Sequence, residues 1–77
     1  MKFEYTDHAE EKIQERKLSK EIIEGAVAMP DKVTDSVFDR KIAQRKVGNK
    51  LLRVVYEEVG GVYIIITAYY TQAERYG

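Results

Sequence analysis

The 77-residue chain has no cysteine and no tryptophan, one histidine and one proline, and no surplus of either charge, with thirteen Lys and Arg against thirteen Asp and Glu. Without cysteine there are no disulfides, no zinc–thiolate sites and no thiol nucleophile. The longest apolar run, Val62–Ala68, falls far short of the ~18 residues that span a bilayer. The start, Met1-Lys2-Phe3-Glu4, lacks the apolar stretch of a signal peptide. A soluble, cytoplasmic domain with no membrane partner is therefore expected, and a chain this short makes one domain over residues 1–77. A single histidine and no clustered acidic motif give no basis for a metal site, and no cofactor is expected. Gly60-Gly61 is not a phosphate loop, because no helix follows it. A neutral total also speaks against a general nucleic-acid binder, which would be basic overall.

That neutrality is a sum of unlike blocks. Residues 1–39 hold ten acids and six bases, a net of −4. Residues 40–53 hold Arg40, Lys41, Arg45, Lys46, Lys50 and Arg53 with no acid, a net of +6. Residues 54–77 hold Glu57, Glu58 and Glu74 against Arg75, a net of −2. Clustering of this kind makes a local positive field on a neutral protein. It also serves, more plainly, to solubilise a hairpin or guard a sheet edge.

Alternation at Phe3 and Tyr5 predicts a short first strand. Thr6 or Asp7 then caps a helix running to about Lys17, Asp7 and Glu10 having capping-box spacing. Ser19 caps a second helix with an apolar stripe of Ile22, Ile23, Ala26 and Val27, ended by Pro30. Beyond Pro30 the period changes to two. Strands are predicted over Lys32–Phe38, Lys41–Val47 and Lys50–Glu57, with a turn at Gly48-Asn49 and another at Gly60-Gly61. Val62–Tyr70, apolar on both faces, reads as a central strand, and the polar tail Thr71–Gly77 is expected to pack across an end of the sheet. The fold class is α+β: a short N-terminal strand and two helices on one face of a mainly antiparallel four-stranded sheet. The other face meets solvent, a ligand or another chain.

Four features could carry chemistry. His8 alone has an unperturbed pKa near neutrality, so any acid–base work at pH 7 would fall to it; the plainer and commoner role of a lone histidine is a structural one, here at the helix start against Tyr or Phe. His8, Lys12 and Arg16 stand four apart and form one ridge, suited to a phosphate unless neighbouring Glu10, Glu11 and Glu15 neutralise it. Arg45 and Arg53 lie in the arms of the basic hairpin, where one residue of register decides whether they share a face. A two-residue loop pairs Arg45 with Leu52 and separates them; a three-residue loop ending at Lys50 pairs Arg45 with Arg53. The second is expected, since the first sets a cation among core residues. Tyr69 and Tyr70 face opposite ways, so one of them reaches the open face, where it can stack on a base or relay a proton. Arg40, Lys46 and Lys50 complete the basic set. Six tyrosines also suit a protein–protein surface.

Thr6-x-His8-Ala9-x-x-Lys12-Ile13-x-x-Arg16, followed by Leu18-Ser19, Ile22 and Pro30-Asp31, resembles a family of domains of unknown function. Arg45-Lys46-x-Gly48, Leu52–Tyr56, Thr67–Thr71 and a terminal Arg75-Tyr76 pair are similar to it as well, so the resemblance covers nearly the whole chain. Two positions depart from the family pattern. Lys12 stands where Arg is usual, which loses bidentate phosphate recognition, and Lys17 stands where Gly is usual, so the interhelix turn must find its left-handed residue elsewhere or do without one. The family in turn resembles the RelE/ParE-like toxins, small α+β domains of which many cleave RNA without metal beside an inhibitory antitoxin. The resemblance implies a toxin-like, metal-independent endoribonuclease of a toxin–antitoxin module, acting on RNA such as ribosome-bound mRNA. His8 would then be base or acid, Arg45 and Arg53 would stabilise the phosphorane, and Tyr69 or Tyr70 would stack or relay a proton. Lys12, Arg16, Arg40, Lys46, Lys50 and Tyr70 would bind phosphate and RNA. The competing class is a non-catalytic interaction module whose basic face holds an acidic protein segment or a second copy of the chain.

Overall fold

A computed structural model of the chain describes residues 1–72. The order is β1 (Lys2–Tyr5), α1 (Asp7–Arg16), α2 (Lys20–Ala28), β2 (Lys32–Asp35), β3 (Lys41–Val47), β4 (Lys50–Val59) and β5 (Val62–Gln72). The strands form one sheet ordered β1-β5-β4-β3-β2. The α+β class stands, but the sheet has five strands and is mixed, where four antiparallel strands were expected. The addition is β1, which joins β5 in parallel, Phe3 beside Tyr63 and Tyr5 beside Ile65. A parallel neighbour needs a long crossover, and here the rest of the chain supplies it.

Both helices lie on one side of the sheet, α1 over β5 and β1, α2 over β4 and β3. The core between the layers holds Ala9 and Ile13 of α1, Ile23, Ala26 and Val27 of α2, and Ala43, Leu52, Val54, Tyr56, Ile65 and Ala68 of the sheet. Ile65 and Ala68 are three apart in one strand yet both face the core. The phase changes because Val55 pairs with Thr67 and Tyr56 with Ile65, leaving Ile66 as a bulge. Thr6 ties α1 to that bulge: its N–H donates to the Ile65 carbonyl and its hydroxyl to that of Ile66.

The helix ends follow from local chemistry. Thr6, not Asp7, caps α1, its Oγ1 accepting from the Ala9 N–H at 3.0 Å. The capping box expected of Asp7 and Glu10 therefore gives way to a cap one residue earlier. Ser19 caps α2 as expected. Helix α1 closes in a Schellman motif, with Lys17 N–H on the Gln14 carbonyl and Leu18 N–H on that of Ile13. Lys17 itself adopts the left-handed conformation, φ 54° and ψ 47°; no other residue takes that part. Leu18 then turns in against the core.

Strand β2 ends at Asp35, three residues earlier than predicted, because Phe38 and Asp39 both turn to φ 59°. With Arg40 N–H donating to the Val37 carbonyl, this is the φ pattern of a type I′ turn. Gly60-Gly61 adopts the same signs with glycine's freedom, and at 48–49 only Gly48 is positive, as in a type II′ turn. Strands β4 and β5 each run two residues further than expected, to Val59 and Gln72. Thr71 thus belongs to the sheet, and the rest of the predicted tail packing, with Arg75-Tyr76, lies outside the described residues.

Candidate nucleic-acid interface

The turn at Gly48-Asn49 has two residues, so Val47 pairs with Lys50, Arg45 with Leu52 and Gln44 with Arg53. Directly opposed residues of antiparallel strands share a face. Arg45 and Arg53 are therefore on opposite sides, and the expected Arg45–Arg53 pair does not exist. What admits a cation beside Leu52 is α2: Arg45 Nη1 donates to the Gly25 carbonyl at 3.1 Å. Arg45 is thus half-buried on the helix side, at the margin of the core.

Arg53 faces the side that the helices leave open. Its row crosses four strands, Lys32 beside Gln44, Gln44 beside Arg53, and Arg53 beside Tyr69. Arg53 donates to Gln44 Oε1 at 3.4 Å. Tyr69 is half-buried in this row, so it is the tyrosine of the open face. Tyr70 takes the helix side, in line with Arg45 and Leu52. The next row holds Lys46, Leu51 and Thr71, the one on the other side Thr34, Ile42, Val55 and Thr67. The open face is therefore a short cationic and aromatic row with hydroxyl groups and aliphatic residues on either flank. Gln44 went unnoticed in the sequence, yet the period-two pattern puts it on the face opposite Ala43.

The other candidates are dispersed. Arg16 donates to the carbonyl of Ala68 at 2.8 Å, on the edge of β5 beyond the reach of β1. Lys12 pairs with Glu15 at 3.4 Å, and His8, exposed in the first turn of α1, completes the ridge. Since Thr6 bonds to Ile66 and Arg16 to Ala68, α1 crosses the stretch of β5 that leads into Tyr69. Arg40 bridges to Glu57 at 3.1 Å and Lys41 to Asp35 at 3.2 Å, so both cations at that end of the sheet are matched. The Asp35 partner holds Lys41 above its ordinary pKa. Lys46 presents its side chain to solvent, while its backbone N–H donates to Asp31 Oδ2 at 2.7 Å. Lys50 is exposed on the helix side beside Gln72. Among the described residues no three His, Asp or Glu side chains gather where a metal ion could be held. No helix among them is long and apolar enough to cross a membrane.

Comparison with known families decides the relationship. A model described as a domain of unknown function, DUF4258, matches residues 5–70. The chain belongs to the DUF4258 family. No curated protein and no solved structure matches it. The DUF4258 match takes in His8, Lys12, Arg16, the basic hairpin and the Tyr69-Tyr70 pair, and with them the whole open row except its surroundings at the chain ends.

Proposed function

We propose that this DUF4258 domain is a toxin-like, metal-independent endoribonuclease related to the RelE/ParE group and held in check by an antitoxin protein. The observation that supports the reading is the direct pairing of Arg53 with Tyr69 on the sheet face opposite the two helices, flanked by Gln44 and Lys32. Arg53 offers the planar fork that matches a phosphate, and Tyr69 a ring on which an unpaired base stacks. A sheet face one row deep suits single-stranded RNA.

In the cleavage this implies, the 2′-oxygen attacks the adjacent phosphorus and the 5′-oxygen leaves. The products are a 2′,3′-cyclic phosphate and a 5′-hydroxyl. One group takes the 2′-hydroxyl proton and another returns one to the 5′-oxygen. In this reading one of these roles is assigned to His8 and the other to the Tyr69 hydroxyl. Arg53 stabilises charge on the phosphorane, an effect worth on the order of 10²–10³ in rate for one well-placed donor. Arg45 has no part in this chemistry, since its guanidinium is bound to the Gly25 carbonyl under α2.

The second reading, a binding module without catalysis, is favoured by one specific observation. Two cations expected in the site have other employment, Arg16 on the Ala68 carbonyl and Arg45 on that of Gly25. The experiment that separates the readings incubates purified protein with single-stranded RNA in EDTA and analyses the new ends. Cyclic-phosphate products that fall at least ~100-fold with Arg53→Ala and with His8→Ala, and survive Arg45→Ala, support the enzyme. Binding of the same RNA without cleavage supports the module. Cleavage that survives Arg53→Ala and His8→Ala together overturns the site.

A further inference from the structure

Strand β5 outruns its neighbour. Its parallel partner β1 ends at Tyr5 beside Ile65, while β5 continues to Gln72 with β4 on its other side. The hairpin next to it fixes which backbone groups the bare stretch presents. The two-residue turn at Gly48-Asn49 closes on Val47 and Lys50, so this pair exchanges hydrogen bonds, and so does every second pair along β3 and β4. The even residues from Lys50 to Tyr56 are thereby committed to β3 and the odd ones to β5. Arg53 pairs with Tyr69 and Leu51 with Thr71, so the N–H and C=O groups of Ala68, Tyr70 and Gln72 point away from the sheet. Two side chains flanking α1 reach carbonyls on this same edge, Thr6 that of Ile66 and Arg16 that of Ala68.

Such an edge recruits another strand unless it is short, charged or covered. Both outermost strands meet that requirement. Strand β1 has four residues, Lys2 and Glu4 among them, and β2 has four, with Lys32 and Asp35. On β5 the cover stops at Ala68. The stretch Ala68–Gln72 reads Ala-Tyr-Tyr-Thr-Gln, uncharged and centred on residues that favour strands. Among the described residues nothing bonds to the outward N–H or C=O of Tyr70, whose side chain is 37% exposed.

We infer that Ala68–Gln72 is a self-pairing edge, at which two copies of the chain join antiparallel about a two-fold axis at Tyr70. The outward groups recur every second residue, so Tyr70 meets Tyr70 of the second copy and Ala68 meets its Gln72, each opposed pair exchanging two hydrogen bonds. The Tyr70 rings form a cross-strand aromatic pair, and on the open face Tyr69 comes beside Thr71 of the second copy. No like charges are opposed. Strand β2 fails that condition: its outward groups belong to Val33 and Asp35. A two-fold at Val33 sets Asp31 against Asp35 of the second copy, and one at Asp35 sets Asp35 against itself. Arg16 restrains the pairing, because its guanidinium competes for the Ala68 carbonyl with the Gln72 N–H of the second copy. The contact is also far smaller than the ~800 Å² per partner of a stable interface, so the dimer belongs to high concentration. It would carry the open row Lys32, Gln44, Arg53 and Tyr69 on into Thr71, Leu51 and Lys46 of the second copy. That consequence for RNA rests on the function proposed above; the pairing itself does not.

The test uses the full chain without RNA, so its failure and that of the endoribonuclease reading are separate results. Sedimentation equilibrium from about 20 μM to about 2 mM should show a monomer–dimer equilibrium. A mixture of labelled and unlabelled chain should give an isotope-filtered NOE between the Hα protons of Tyr69 and Thr71, which face each other across a non-hydrogen-bonded pair. Tyr70→Lys opposes two cations at the axis and should abolish association, circular dichroism confirming that the variant is folded. Arg16→Ala frees the Ala68 carbonyl and should tighten the dimer several-fold. A monomer at about 2 mM in both the parent and the Arg16→Ala chain would overturn the inference. So would a dimer indifferent to Tyr70→Lys, or cross-copy NOEs at β1 or β2 in place of β5.

Discussion

Replacing Lys17 by glycine should make the domain more stable, although it removes a cation from the C-terminal end of a helix. Lys17 has φ 54° and ψ 47°, where the Cβ of an L-residue crowds its own carbonyl at a cost of roughly 1–2 kcal/mol. The conformation is enforced by the Schellman pair, Lys17 N–H on Gln14 and Leu18 N–H on Ile13, and by Leu18 packing on the core. Glycine removes the crowding but adds freedom to the unfolded chain, which takes back about 0.4–1 kcal/mol. Loss of the charge takes back about 0.3 kcal/mol more at an exposed helix terminus. The net is a gain of roughly 0.5 kcal/mol, too small to interpret alone. Lys17→Ala supplies the reference, since alanine loses the same charge yet keeps the strain. The glycine variant should exceed the alanine variant by about 1 kcal/mol, a difference of about 4–8 °C in Tm for a domain of this size. Thermal unfolding followed by circular dichroism reads this directly. A glycine variant no more stable than the alanine variant would refute the reasoning, and with it the left-handed assignment of Lys17.

Two further expectations concern the same kind of local chemistry. Phe38 and Asp39 occupy a type I′ turn at φ 59° with Phe38 80% exposed, so the double change Phe38→Asn with Asp39→Gly should stabilise by about 1–3 kcal/mol; denaturant titration yielding no gain would count against the turn. Tyr5 donates to Glu24 Oε2 at 2.6 Å, and burial, then that hydrogen bond, push its phenol well above the ordinary value of 10.0. Above pH 10 the unfolded chain releases this proton while the folded chain retains it, so the unfolded state binds fewer protons and stability falls as pH rises. Tyr5→Phe should flatten that alkaline decline, measured by denaturant unfolding at pH 9 and pH 11, and an unchanged slope would remove Tyr5 as its source.

Where periodicity was strong, the elements could be read. The stripe Ile22, Ile23, Ala26 and Val27 gave α2, and alternation gave β3 at its observed bounds. The failures each have a local cause. Val62–Tyr70 is apolar on both faces, so nothing in its pattern betrays the bulge at Ile66 that resets its phase. The parallel pairing of β1 joins segments sixty residues apart, and four residues of alternation carry no record of direction. Phe38-Asp39 forms a glycine turn without glycine, so β2 was read too long. Within the basic hairpin itself nothing satisfies a cation opposite Leu52, which is why the other register looks better from sequence. A glycine in the neighbouring helix, which exposes its carbonyl to Arg45, removes that objection. That carbonyl lies twenty residues before Arg45, outside the hairpin. For the same reason the site was legible in part: Arg53 and Tyr69 come together, while Arg45 and Arg16 are taken by backbone carbonyls.

The division of the basic block bears on how RNA would be held. Strands β1 and β2 both stop short of the end formed by β3, β4 and β5. Charged side chains close the backbone exposed there, Asp31 accepting from the Lys46 N–H and Arg16 donating to the Ala68 carbonyl. Such capping guards edges that would otherwise recruit another strand. At the opposite end Arg40 and Lys41 are paired with Glu57 and Asp35. Arg45 and Lys50 face the helix side. In the proposed binding mode the open-side cations of β2, β3 and β4, namely Lys32, Lys46 and Arg53, meet phosphate. Single-stranded nucleic acid releases about 0.7 counterion per phosphate neutralised. Three contacts predict that the logarithm of the RNA association constant falls against the logarithm of salt concentration with a slope of about −2. Engagement of the whole block of six would give about −4. Fluorescence anisotropy of a labelled oligouridine across a salt series separates these values. Arg53→Ala should lower the slope by about 0.7, and Lys50→Ala should leave it unchanged. A slope near −4, or one that responds to Lys50 as much as to Arg53, would mean that RNA wraps both sides of the sheet, and the open row would lose its standing as the binding face.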